Sequence, residues 1–222
     1  MDAGMGAGTG MGMDDELPET ALIAAALANV RRNRMKPWGM HGLAHWWRVR
    51  HNGLLVADAM GASRRVVTLF AIFHDSHRMD DGIDPLHGPR AAEWLAEVRE
   101  HRADANPRDV AERAAAAAPH GACEVTRRTI HALDDHEFES LRLACELHTR
   151  KLHHDNPSVA ACFVADRLDL SRVGFRPDPA RMPAPRALLT DAFIEAAVTR
   201  ERAGLEWPGG EGLAGVWGVR QA

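Results

Sequence analysis

The sequence predicts an all-α protein: one helical domain with a tail at each end. Three observations carry that expectation. Alanine, leucine, arginine and glutamate dominate, and these residues favour helix. Alternating runs of valine, isoleucine, threonine and aromatics, the mark of half-buried strands, do not occur, and tyrosine is absent altogether. Helix starts and stops, such as Gly61, Ser63 and Asn156-Pro157, punctuate the chain at helix-length intervals without any internal repeat.

Taken in order, residues 1–15 form a Gly- and Met-rich lead, 16–205 the helical domain and 206–222 a tail holding Trp207 and Trp217. A first helix is expected from Pro18 to Arg34, with proline at its start and arginines at its end. KPWGMHG makes a turn. A second helix runs from about Leu43 to Met60 and is closed by Gly61. Ser63 caps a third, which ends near His74-Asp75. The stretch Met79 to Gly88 is irregular, and a helix follows over roughly Pro89 to Asp104. Asn106-Pro107 opens another through the AAAAA run, while residues 119–136 give no clear pattern. Later helices are expected from about Glu137 to Lys151, from Asn156-Pro157 through SVAACFVADRLDL, and from about Asp191 to Ala203. Between the last two, a loop with four prolines spans Gly174 to Pro185.

Composition narrows the function classes. A chain of 222 residues at 45% hydrophobic can build a sizeable core. No run of 18 or more apolar residues occurs, so no membrane span is expected. The first residues lack the basic and apolar regions of a signal peptide. Cys123, Cys145 and Cys162 are odd in number, widely spaced and free of any CxxC pattern, which suits a reducing cytoplasm. The net charge of -4 gives no basis for a non-specific grip on nucleic acid.

The 13 histidines carry the functional signal. In VVTLFAIFHD, Val67, Phe70, Ala71 and His74 share a helical face, so His74 points with the core. Asp75 sits where that apolar run ends, and a buried carboxylate is costly unless paired or bound to a metal. His45 shares a face with Val49 and Val56. His41, four residues earlier, stands behind it as a supporting residue, because Gly42 places it outside the helix. Asp166 is the only acid within SVAACFVADRL and needs a cation nearby. His45, His74, Asp75 and Asp166 together form a mixed nitrogen and oxygen donor set suited to a divalent metal. His148, grouped with Leu141, Ala144, Cys145 and Leu152 on one face, and His87 at a helix start are candidates for a second ion. A single inward histidine is more often a hydrogen-bonded core residue than a ligand; it is the joint pattern that points to metal. His51, His77, His101, His120, His131, His136, His153 and His154 lack such support and are read as surface or loop residues.

These elements resemble those of the HD-domain superfamily of metal-dependent phosphohydrolases. HWWRV is similar to its first histidine element, LFAIFHD to its name-giving element and ADRLDL to its terminal aspartate element, in the family's order. The resemblance spans roughly residues 38–175. It implies a helical bundle with a metal site in its core, held by His45, His74, Asp75 and Asp166. HGPRAAEWL and CELHT are similar to the further histidine elements of two-metal members, which implies His87 and His148. Where such relatives often carry a lysine three residues after the HD aspartate, this chain has Arg78, a cation able to hold a phosphate bidentately. The glycine and proline signature of the cyclic-dinucleotide phosphodiesterase branch is not evident.

The expected activity is therefore hydrolysis of a small phosphorylated molecule, nucleotide-like, as a phosphomonoester or phosphodiester. One or two divalent ions per chain (Mn, Zn, Fe, Co or Mg) would serve as cofactor. Asp75 and Arg78 are the catalytic candidates, and Arg78, Arg48 and Arg167 those for substrate. A cytoplasmic protein without nucleic-acid or membrane partners is expected, and a homodimer is compatible with it. Two alternatives use the same ligands: a di-iron oxygenase, and a non-catalytic metal- or ligand-binding protein.

Overall fold

The computed structural model describes residues 25–26, 39–100 and 124–203. Among them are seven α-helices and no strand: α1 (Leu43–Met60), α2 (Arg64–Phe73), α3 (His87–Glu100), α4 (Glu124–His131), α5 (Asp135–Leu147), α6 (Pro157–Arg167) and α7 (Asp191–Arg202). None of the helices is long and apolar enough to cross a membrane.

The local signals act as the sequence suggests. Gly61 ends α1 in the left-handed region at φ 64°, which a side chain would disfavour. The Ser63 hydroxyl accepts from the Val66 N–H at the start of α2. Asn156 accepts from the amides of Ser158 and Val159 at the start of α6, with Pro157 in the first turn. Each such cap stabilises by roughly 0.5–2 kcal/mol.

Packing is organised around α2. Every residue from Val66 to Phe73 is buried, so this helix is apolar all round rather than on one stripe. It lies against α1, α5 and α6; α1 also packs closely on α6, and α3 covers α5. Gly53 permits the close approach: a Cβ there would come within 2.4 Å of the Val67 side chain and 3.1 Å of Ala165. Trp46, Phe70, Phe73 and Phe163 are the largest side chains in the resulting core.

Several boundaries differ from the sequence-based expectation. The helix expected over Glu137 to Lys151 spans Asp135–Leu147, and Leu152, expected on its buried face, lies beyond it and is exposed. The stretch 119–136 contains α4. Of the helix expected over Pro18 to Arg34, only the helical, buried Ala25 and Ala26 are described. The helix expected from Asn106-Pro107, the lead 1–15 and the tail 206–222 lie outside the described residues.

Candidate metal centre

Helix ends assemble the site. His41 precedes α1 and His45 lies in its first turn. His74 and His148 are the C-cap residues of α2 and α5, Asp75 follows His74, His87 opens α3, and Asp166 lies in the last turn of α6. A helix C-terminus leaves carbonyls without intrahelical partners. His74 Nδ1 meets two of them, Phe70 O at 3.1 Å and Ala71 O at 3.2 Å. His148 Nδ1 meets Cys145 O at 2.8 Å. A carbonyl can only accept, so both rings carry their proton on Nδ1 and project an Nε2 lone pair.

His45 is fixed in the same sense by a carboxylate, with Nδ1 2.7 Å from Asp169 Oδ2. Its Nε2 then faces His74 Nε2 at 3.0 Å. Two neutral rings in these tautomers have no proton to place between those nitrogens, so lone pair opposes lone pair. The second pair repeats the arrangement. His87 Nε2 lies 2.9 Å from His148 Nε2, while His87 Nδ1 is against Asp84 O. Arg78 Nη1, 3.1 Å from His87 Nδ1, is itself a donor and does not displace the closer carbonyl. Each pair is a nitrogen donor set that could hold a cation.

Asp75 joins the two pairs. Its Oδ2 is 3.5 Å from His45 Nε2 and 3.6 Å from His74 Nε2. Its Oδ1 is 3.0 Å from His87 Nε2 and 4.0 Å from His148 Nε2. Asp166 Oδ1 adds a second oxygen to the first pair, 3.6 Å from His45 Nε2 and 3.8 Å from His74 Nε2. The donor atoms of His45, His74 and Asp166, of Asp75, His87 and His148, and of His41, His45 and Asp75 each lie within 4.8 Å of one another. These buried His/Asp clusters can hold a metal ion.

The protonation states suit ligation, which takes neutral imidazole and ionised carboxylate. Burial brings His74 down to about 3, against the pull of Asp75 and Asp166. Burial also lowers His148. Burial opposes ionisation of Asp75, but its contacts, the hydrogen bond from the His41 N–H among them, hold it well below the usual carboxylate range. Burial opposes ionisation of Asp166 too, and the nearby Arg172 guanidinium holds it low.

The structure brings together His41, His45, His74, Asp75, Arg78, His87, His148 and Asp166. His41 stands behind Asp75, its Nδ1 2.8 Å from Oδ2. Arg78 Nη1 is 3.6 Å from Asp75 Oδ1, and its other nitrogens bond Asp80 O and Gly82 O. The two other arginines expected to meet substrate are engaged elsewhere. Arg48 grips Asp169 with Nε at 2.6 Å and Nη2 at 3.0 Å. Arg167 points away from Asp166, because consecutive helix residues diverge. It bonds Leu152 O at 3.1 Å, His148 O at 3.3 Å and Lys151 O, latching the end of α5 to α6.

Sequence reasoning missed Asp169 and Arg172. Asp169 is fully buried and orients His45 while neutralised by Arg48. The signal was available: His45/Arg48 and Asp166/Asp169 share an i, i+3 spacing, so each inward residue has a companion on its own face. Comparison with protein-family models, with curated proteins and with solved structures returns no match.

Proposed function

We propose that this chain is a metal-dependent phosphohydrolase of the HD-domain type, acting on a small phosphorylated molecule with two divalent ions. One observation carries the reading: two pairs of inward Nε2 atoms, at 3.0 and 2.9 Å, each face one oxygen of the same carboxylate, Asp75. That donor set suits two divalent ions, which His45, His74 and Asp166 would hold on one side and His87 and His148 on the other, with Asp75 between the two sets. Bound there, the ions would lower the pKa of water toward neutrality and polarise a phosphoryl oxygen.

The protein's own groups would do the rest. Asp75, steadied by the His41 N–H, orients the water and fixes the spacing of the two halves. Asp169 keeps the His45 ring in its ligating tautomer. Arg78, beside Asp75 and His87, balances negative charge developing on the phosphoryl oxygens. Metal analysis of the purified protein followed by a phosphoester panel with Mn, Zn, Fe, Co and Mg tests the reading. It expects about two ions per chain and turnover of phosphoesters. Metal binding with no turnover on any phosphoester would overturn it. Tightly bound iron with oxygen-dependent turnover would replace hydrolysis by oxygenation, which the same donors could support.

A further inference from the structure

Arg172 lies on the short 3₁₀ turn Leu170–Val173 that follows α6, beyond every site candidate read from the sequence. Its side chain is 8% exposed, and its Nη2 approaches the first half of the site, 3.9 Å from Asp166 Oδ1 and 3.4 Å from His41 Nδ1. Neither contact satisfies that nitrogen. The Asp166 separation exceeds hydrogen-bond length. The His41 proton on Nδ1 is committed to Asp75, so two donors meet there with no lone pair between them. Nη1 bonds Asp169 O at 3.1 Å, and Nε is buried with no hydrogen-bond partner. A buried guanidinium with unused N–H groups beside a cation site is costly, and a bidentate oxyanion is the ligand that relieves it.

We infer that Arg172 is an anion anchor that receives the phosphoryl oxygens of the substrate at the Asp166 side of the site. The inference rests on the phosphohydrolase reading and gives it a second cationic flank. Arg78 stands beside Asp75 Oδ1 at the His87/His148 half, and Arg172 beside Asp166 at the His45/His74 half. A substrate phosphate between them would be held from both sides, with Arg48 and Arg167 taking no part.

The probe is inorganic phosphate, titrated calorimetrically into the manganese-loaded full-length protein. Arg172→Ala should weaken phosphate binding by about 10-fold or more, the range of a lost charged hydrogen bond of about 1.5–3 kcal/mol. Arg172→Lys should recover part of it, because a point charge replaces the fork. Metal per chain and melting temperature should stay at the wild-type level in both variants, with manganese held as tightly or tighter once a positive charge leaves Asp166. Unchanged phosphate affinity in a metal-replete Arg172→Ala protein would overturn the inference and leave the phosphohydrolase reading standing. So would a loss of metal in parallel with phosphate, which would make Arg172 a support for Asp166. If Arg172→Ala does not fold, the Lys variant decides: full wild-type affinity there counts against a bidentate anchor. A wild-type protein that loads manganese, binds no phosphate and turns over no phosphoester would instead sink the phosphohydrolase reading itself.

Discussion

His45 and His74 face each other much as His87 and His148 do, yet the two pairs hang from different parts of the fold. The first pair is pinned by regular, buried structure: His74 by the carbonyls of α2, and His45 by Asp169, which is itself clamped by Arg48. The second pair is pinned on one side by Cys145 O of α5 and on the other by Asp84 O, which belongs to the stretch between Arg78 and α3. That stretch exposes Met79 and Ile83, at 78% and 100%, and holds itself with local Asp80, Asp84 and Arg90 contacts. Opening it costs fewer buried contacts than opening the α1–α2–α6 core. One half of the site is thus preorganised by the core, and the other depends on a surface segment. Among the described residues, Asp75 is the only donor that faces both pairs.

The largest effect should follow removal of that shared residue. Asp75→Ala should abolish turnover, a loss of several kcal/mol in transition-state stabilisation or on the order of 10³ or more in kcat. Both ions should go with it, while far-ultraviolet circular dichroism still shows a helical protein. Wild-type turnover in this variant would remove Asp75 from the site, and collapsed helicity would make the metal structural. Next, His87→Ala and His148→Ala should each lower metal content from about two ions per chain toward one, with loss of turnover and little loss of fold. A stoichiometry near one in wild type and both variants would reduce the second pair to a hydrogen-bonded core feature. The halves then differ in stability: Asp169→Ala strands the buried Arg48 charge, which should cost about 3–5 kcal/mol. At about 2–4 °C per kcal/mol, the melting temperature should drop by about 6–20 °C. A drop of a degree or less would show that the Arg48 clamp does not anchor the first half.

What could be read from the sequence follows the same division. The first half lies on helices with strong local signals, so the inward direction of His45 and His74 is visible from the spacing of their apolar neighbours. The second half is visible only as separate histidines, since no local rule brings His87 and His148 together across 61 positions. The arginines are the clearest failure. From the sequence, Arg48, Arg78 and Arg167 are equal candidates for substrate, because sequence shows a charge and not its partner. Asp169 absorbs Arg48 and the end of α5 absorbs Arg167, while Arg172 enters the site through a turn that carries no helical periodicity.

Acid should act on the first half in a direction set by burial. The unfolded chain protonates His74 near 6.5, whereas burial brings the folded value down to about 3. The unfolded state therefore binds more protons across that window, so this contribution to stability is present above about 6.5 and is lost as pH falls toward 3. His148 shifts in the same direction. The melting temperature of metal-free protein should fall between about pH 7 and pH 5, and the slope should flatten in His74→Gln. The same burial moves proton competition for the metal at His74 well below the 6.5 expected of an ordinary imidazole. A melting temperature that rises on acidification would contradict the neutral, buried state of His74.

The smallest effect separates the halves most cleanly, because it compares two glycines. A Cβ on Gly88 would come within 2.4 Å of Cys145 O and 3.1 Å of His148 Cε1. A backbone carbonyl cannot swing aside, and this one is the acceptor that orients His148. A Cβ on Gly53 would also come within 2.4 Å of its nearest neighbour, but that atom is the end of the Val67 side chain, in the apolar packing of α1 on α2. Gly88→Ala and Gly53→Ala should therefore each cost about 1–3 kcal/mol through overpacking. Only Gly88→Ala should also displace the His148 ring and lower occupancy of the second ion, leaving the first in place. Gly53→Ala should retain both ions at a comparable melting temperature. Equal metal content in the two variants would mean that the second pair does not depend on the close approach of α3 to the end of α5, and the contrast between a core-held half and a surface-held half would fail at its most specific point.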